Sequence, residues 1–318
     1  MSQADLPLGP LSSKEPTRAR TRRSTFDPLA LVTGAACLLL LGMLALVVLH
    51  AVRGGAGTLS WTFLSSAPTK GMTDGGIFPA IFGTAALTLL MTAMGVPAGV
   101  LTAVYLHEYA SPSSRIARLA RISIANLAGV PSVVFGLFGL GFFVLTLGRG
   151  VDRLVFDGEP TYGKPSLVWA AATLAVLTLP VVIVSTEEAL RAVPRELRDA
   201  STALGATRLQ TLVRVVLPQA SGGILTGAIL AVGRGAGEVA PLLFTGVAYF
   251  LPYLPEHLND PFMNLGYHVL VLATQSPDVD KTKPLLFGTV LVLLTLTFTL
   301  NIAAVLLRTR AQRRAREG

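Results

Sequence analysis

The sequence predicts an all-α, polytopic membrane protein with six spanning helices. Three observations carry that reading. Of the 318 residues, 52% are hydrophobic and only 14% charged, with a mean hydropathy of +0.62, too apolar for an ordinary water-soluble domain. Six predominantly apolar runs, roughly 29–52, 77–106, 122–147, 167–185, 222–249 and 285–307, approach or exceed the ~20 residues a helix needs to cross a bilayer. Each is continuous rather than alternating in short segments, which excludes β-barrel strands. The charge is also lopsided. Residues 1–28, 107–121, 187–217 and the C-terminal tail hold 18 basic and 9 acidic residues, whereas the other three connections hold 7 and 8. Basic residues favour the cytoplasmic side, so both termini are expected there. The net charge of +8 therefore reports topology rather than nucleic-acid binding.

Residues 1–28 are polar and rich in Pro, Ser and Arg, the composition of a disordered cytoplasmic tail. The first run follows Arg18, Arg20, Arg22 and Arg23, as a signal peptide would. It is too long for a signal and lacks an Ala-x-Ala exit, so it reads as an uncleaved anchor. Residues 29–76 comprise this helix and an outside loop. Within the loop, Trp61 and Phe63 are either interfacial anchors or part of a short helix. A transmembrane domain is expected over 77–308, followed by a basic cytoplasmic tail at 309–318. Pro131, in Gly129-Val130-Pro131-Ser132, is predicted to kink the third span, and Pro241 the fifth. Gly136, Gly139 and Gly141 allow close helix packing.

The loop 148–166 contains Gly158-Glu159-Pro160-Thr161-Tyr162-Gly163-Lys164-Pro165, which mimics a phosphate-binding loop up to the lysine. Pro165 stands where Ser or Thr is needed, and two prolines remove backbone donors, so no ATPase site is expected. The lone Cys37 reads as a packing residue, and the four histidines show no metal spacing. The long outside connection 247–284 is expected to carry a short helix over 261–273, lying on the membrane surface.

Residues 187–217 read as a cytoplasmic helix–Gly–helix. Pro194 suits a helix start, and Leu197, Ala200 and Leu204 share one face. Gly205 ends that helix, and Thr207-Arg208-Leu209-Gln210 has the form of a capping box. Leu209, Leu212 and Val216 make the next apolar stripe, and Pro218 marks entry to the fifth span. Small side chains at Ala200, Ser201 and Ala203 leave the corner open to a partner; a well-capped connector resting on the membrane is the other reading.

Asp199-Ala200-Ser201, three residues, Gly205, nine residues, then Val215-Val216-Leu217-Pro218 resembles the Glu-Ala-Ala loop of ABC importer permeases. Asp199 replaces Glu, Ser201 replaces Ala and Val215 replaces Ile, keeping charge sign, size and hydrophobicity. Gly237-Glu238-Val239-Ala240-Pro241-Leu242-Leu243 is similar to the fifth-span segment of PstA-type phosphate permeases, with Val239 in place of Thr. Gly129-Val130-Pro131-Ser132 with Phe135-Gly136-Leu137-Phe138-Gly139 resembles that family's third span. The resemblance covers roughly 80–308. It implies a type I importer (MetI-like) permease fold in a bacterial inner membrane. It also implies coupling through Asp199, Ala200, Ser201, Leu204, Gly205, Leu217 and Pro218 to a separate ATPase. The implied partners are a PstB-like ATPase dimer, a PstC-like second permease, a PstS-like phosphate-binding protein and membrane lipid. No cofactor is expected on this chain, since ATP and Mg belong to the ATPase.

Arg234 and Glu238 lie in the fifth apolar run, four residues apart, where they can pair on a helical face. An ionisable residue there is costly unless paired, hydrated or lining a path. One reading is a structural ion pair. The other is that Arg234, whose planar fork matches oxyanions and stays charged, meets an anionic substrate while Glu238 limits tight binding. Another oxyanion such as tungstate or sulfate, or an amino acid, remains open as cargo. An ion-driven secondary transporter usually needs more spans and internal repeats, and an intramembrane hydrolase needs a nucleophile with a base.

Overall fold

The computed structural model describes residues 28–317, apart from Pro112 and Pro277; the tail expected over 1–28 falls almost wholly outside these. Helix α1 runs over Pro28–Gly55. The chain forms two compact units that meet between Leu49 and His50. The described part of the first unit is a helix apolar all round and exposed from Ala30, a composition suited to lipid.

The second unit holds the other elements. After α2 (Trp61–Ser65), a two-stranded hairpin pairs Pro68–Thr69 with Asp74–Gly75. Then follow α3 (Phe78–Tyr109), α4 (Arg115–Leu127), α5 (Ser132–Val155), α6 (Leu167–Arg191), α7 (Arg195–Ala203) and α8 (Arg208–Ala236). The chain closes with α9 (Leu242–Thr245), α10 (Leu265–Thr274) and α11 (Val279–Glu317). Six helices among the described residues are long and apolar enough to cross a membrane: α1, α3, α5, α6, α8 and α11. With almost no strand, this is the all-α polytopic architecture expected. Trp61 is exposed and Phe63 buried on α2, so the short-helix reading of that loop holds.

Helix α6 is the centre. Ala170, Ala171, Leu174, Val182 and Leu190 are buried on it, and α3 and α8 pack along its length. Leu87 and Met91 of α3 meet Leu167 and Leu174 of α6, with Leu242 and Phe262 in the same cluster. A Cβ at Gly227 of α8 has no room against Ser185 of α6, so these two backbones approach more closely than any other residue allows. Gly136 and Gly139 of α5 likewise sit against Pro241 and Thr173, whereas Gly141 meets nothing within 4 Å.

Several predicted boundaries move. Pro131 kinks nothing: it caps α5, and the residues from 122 to 130 belong to the end of α4 and a turn. Proline lacks an N–H and clashes with the preceding turn, so it starts a helix more readily than it continues one. The fifth span begins at Arg208 and ends at Ala236, not at 249. Pro241 therefore lies beyond that helix, as the residue before α9. Pro218 sits inside α8, directly after a widely wound π turn at Leu212–Val216, rather than at its entry. Besides Pro218, Pro97, Pro180 and Pro284 lie inside spanning helices. Helix α11 continues to Glu317, so the basic tail is helical as far as that residue.

The segment between α8 and α11 is folded back into the protein. The first amides of α6, which have no partner within their own helix, donate outward: Leu167 N to Asp260 O at 2.9 Å and Val168 N to Leu258 O at 2.9 Å. Just before them, Ser166 N donates to Thr245 O at 2.8 Å. Helix α10 is not spread on a surface. Leu265, His268, Val271 and Leu272 are buried. Its N-cap Asn264 accepts from Tyr267 N at 3.1 Å and donates to Thr84 Oγ1 of α3 at 3.3 Å. That hydroxyl also accepts Leu265 N at 2.9 Å and donates to Ala80 O at 2.7 Å. A buried polar hub therefore pins α10 to α3.

Candidate functional site: a charge pair at a helix end and a braced helical corner

Helix α8 stops at Ala236 because three glycines, Gly233, Gly235 and Gly237, weaken it there and Pro241 follows. Its last turn closes through Gly237 N to Arg234 O at 3.1 Å and Glu238 N to Gly235 O at 3.2 Å. Arg234 is thus on the final helical turn and Glu238 just past it, so the two do not share a continuous helical face. They still meet, with Nε to Oε1 at 3.6 Å, Arg234 half exposed and Glu238 about 20% exposed. That separation is an ion pair without a tight hydrogen bond. Among the described residues no other acceptor engages the guanidinium, so its two terminal nitrogens are open. Gly235 faces Met91 and Thr178, and Gly233 faces the Asn301 amide of α11.

The second feature is α7 and the start of α8. Gly205 has φ of +85°, the left-handed conformation that ends α7. The capping box is present as predicted: Gln210 N donates to Thr207 Oγ1 at 3.3 Å, and Thr207 N to Gln210 Oε1 at 2.9 Å. Asp199, Ala200 and Ala203 are exposed, and Leu204 is 91% exposed. Leu197 and Leu209 join them on the surface, while Leu212 and Val216 turn inward to pack with Val104 and Leu190. Leu217 is half-buried and Pro218 exposed. Ser201 does not lie open: its hydroxyl meets Thr211 Oγ1 at 2.9 Å and braces α7 on α8.

The brace extends through residues that carry no local sequence signal. Arg198 of α7 pairs with Glu108 of α3 at 2.5 Å and donates to Leu190 O of α6 at 2.8 Å. His107 Nδ1 lies 3.0 Å from the same carboxylate. Glu108 sits in a π turn over Tyr105–Tyr109, and the facing wall is the π turn Leu212–Val216. Such turns widen a helix and re-aim its side chains. Between them lies a cavity of about 240 Å³, lined by Glu108, Tyr109, Arg198, Arg208 and Thr211 among others. On α4, Arg121 donates to Leu106 O at 2.7 Å and to Glu187 Oε1 at 3.2 Å. Thus α3, α4, α6 and α7 are joined by charge-assisted bonds at one end of the bundle. Such bonds are about twice as strong as neutral ones.

The loop that mimics a phosphate-binding loop has another use for its amides. Tyr162 N and Gly163 N each donate to the buried Asp152 carboxylate at 2.7 Å. Farther on, Asp260 accepts from His257 N at 2.9 Å and from Glu256 N at 3.0 Å. These bonds, that of His257 foremost, hold its carboxyl below the ordinary aspartate value.

The sequence profile of the family described as binding-protein-dependent transport system inner membrane component matches residues 95–317. The chain belongs to that family. It is 33% identical over 76% of its length to 72% of the phosphate transport system permease protein PstA 1 of Mycobacterium tuberculosis. It is 31% identical over 88% of its length to 92% of the probable phosphate transport system permease protein PstA of Methanocaldococcus jannaschii. Among solved structures, a bacterial alginate ABC transporter bound to its periplasmic protein aligns with a TM-score of 0.63. That alignment covers 90% of this chain and 94% of that one at 15% identity. The MetNI methionine ABC transporter aligns at 0.54, covering 73% and 94%, with 19% identity. At those identities the likeness speaks for the fold, which is that of ABC importer permeases. This family member is a multi-pass membrane protein and a transport component.

Proposed function

We propose that this chain is the transmembrane permease subunit of an ATP-driven importer for inorganic phosphate, forming half of its pathway. The observation that carries the cargo is the half-exposed Arg234, its fork open at the broken end of α8, in a chain whose curated relatives bear the name of phosphate transport permeases. Arg234 meets the anion in the path. Glu238, 3.6 Å away, competes for the same guanidinium and keeps anion binding loose enough for release. The exposed corner of Asp199, Ala200, Leu204 and Gly205 docks a PstB-like ATPase dimer, with Ser201, Leu217 and Pro218 supporting it from behind. ATP and Mg act there, on a subunit other than this one, and this chain hydrolyses nothing.

A PstC-like permease completes the pathway and a PstS-like protein delivers phosphate to the outer loops. The membrane is the bacterial inner membrane. The charge distribution supports cytoplasmic termini, which puts α4 and α7 on the cytoplasmic side. Uptake of labelled phosphate by proteoliposomes carrying the complete transporter, with sulfate and tungstate as competitors, tests the reading. Phosphate is expected to compete far better than either. Equal competition refutes the cargo, and uptake by this chain without an ATPase refutes the coupling.

A further inference from the structure

Helix α4 has an outward face that the mechanism above does not use. It joins the end of α3 to the start of α5, so it lies at the edge of the membrane that those two helices cross. Its inner face is buried, with Ala117 packed beside Leu106 and Ile183. Outward it shows Ile116, Leu119 and Ile122, exposed by 80%, 64% and 52%. Interleaved with them are Arg115 and Arg118, both exposed and without an acidic partner among the described residues. Arg121, the third arginine of the helix, is turned inward to Glu187 and Leu106 O.

Large aliphatic side chains on an outward arc, with two arginines on or beside it, match the interface of an acyl layer with negatively charged headgroups. The aliphatic groups enter the layer while the long arginine stems let each guanidinium rise to a phosphate. A water-facing surface gains nothing from three exposed aliphatic residues, and a purely hydrocarbon-facing one does not carry two free cations. We propose that α4 is a docking surface for anionic lipid headgroups. We further propose that this contact stiffens the corner on which α7 sits, because Arg121 ties α4 to α3 and α6, and Glu108 on the same end of α3 holds Arg198 of α7. The inference rests on α3 and α5 crossing the membrane. It is independent of which anion is carried.

The test uses the complete transporter in nanodiscs of zwitterionic lipid, with or without phosphatidylglycerol. Native mass spectrometry counts retained phosphatidylglycerol, and ATP turnover is measured in the same samples. Each basic residue near an anionic surface contributes about fivefold in affinity, so Arg115→Gln with Arg118→Gln is expected to weaken lipid retention by about 25-fold. The same double variant should lose the phosphatidylglycerol-dependent part of ATP turnover while matching the unaltered protein in zwitterionic lipid. Arg115→Lys with Arg118→Lys should retain both. Lipid retention unchanged in the glutamine variant overturns the proposal. So does loss of subunit assembly with lipid retention intact, which assigns this face to a protein neighbour. The mass measurement is made without phosphate, so a wrong cargo leaves its outcome untouched.

Discussion

Glu108→Gln removes the charge that joins α3 to the exposed corner at α7 while keeping the side chain's size. Glu108 and Arg198 are each about 20% exposed and meet at 2.5 Å, and Arg198 retains its second bond, to Leu190 O. A fully exposed pair contributes about 0.2–1 kcal/mol, and breaking a fully buried one costs about 3–5 kcal/mol. A mostly buried, charge-assisted bond lies between these, at about 1.5–3 kcal/mol. If all of that acts on the position of α7, coupled turnover falls by about 10- to 150-fold, since each ~1.4 kcal/mol is a factor of ten. The assay is ATP turnover by the reconstituted transporter with and without the phosphate-loaded binding protein. Only the stimulated part should fall, because the proposed hydrolytic site is on another subunit. Arg198→Gln should behave alike, and the double variant should be no worse than either alone. Losses that multiply in the double variant, or full stimulation in Glu108→Gln, refute the claim that this pair transmits force.

Other outcomes follow from the same geometry. Leu204→Asp should leave folding and membrane insertion intact, because Leu204 is 91% exposed, yet abolish uptake; normal coupled ATP turnover refutes its docking role. Gly205→Ala places a Cβ at φ of +85° and should cost about 1 kcal/mol, read as a lower thermal midpoint, whereas Gly205→Trp should also block uptake. Arg234→Ala should lower both affinity and rate of phosphate uptake, with Arg234→Lys intermediate because an ammonium lacks the planar fork; uptake at the normal rate in Arg234→Ala makes the residue structural only. Thr84→Val keeps the shape of the side chain but leaves Leu265 N and one Asn264 amide proton unbonded, a loss of about 2–6 kcal/mol at about 1–3 kcal/mol per orphaned group. Faster proteolysis between 247 and 279 should report it, and Thr84→Ser should resist as the unaltered protein does.

The spanning helices are legible in the chain because lipid imposes a condition that each segment meets by itself: about 20 apolar residues with backbone bonds made internally. The corner at Gly205 and the capping box at Thr207 are legible for a similar reason, since both depend on residues within four positions of each other. Arg234 and Glu238 stand out because they are the two charges left in apolar runs. The assignments of Pro131 and Pro241 as kinks fail on a local ambiguity. A proline inside an apolar run either bends a helix or begins one, and composition does not distinguish these when a glycine lies just upstream.

Composition and short-range pattern determined that the chain crosses a membrane six times, which ends carry positive charge, and where the exposed corner turns. Tertiary structure alone decided that Arg198 reaches Glu108 ninety residues away, and that the amides of α6 close on the 258–260 loop. It also decided that Thr84 pins α10 inside the protein, across a separation of 180 residues from Asn264. Each of these joins groups whose hydrogen-bonding needs are evident in sequence but whose partners are not. A polar group facing an apolar surrounding must be satisfied, yet only the packing of α3, α6 and α8 brings a particular donor within 3 Å or so of a particular acceptor.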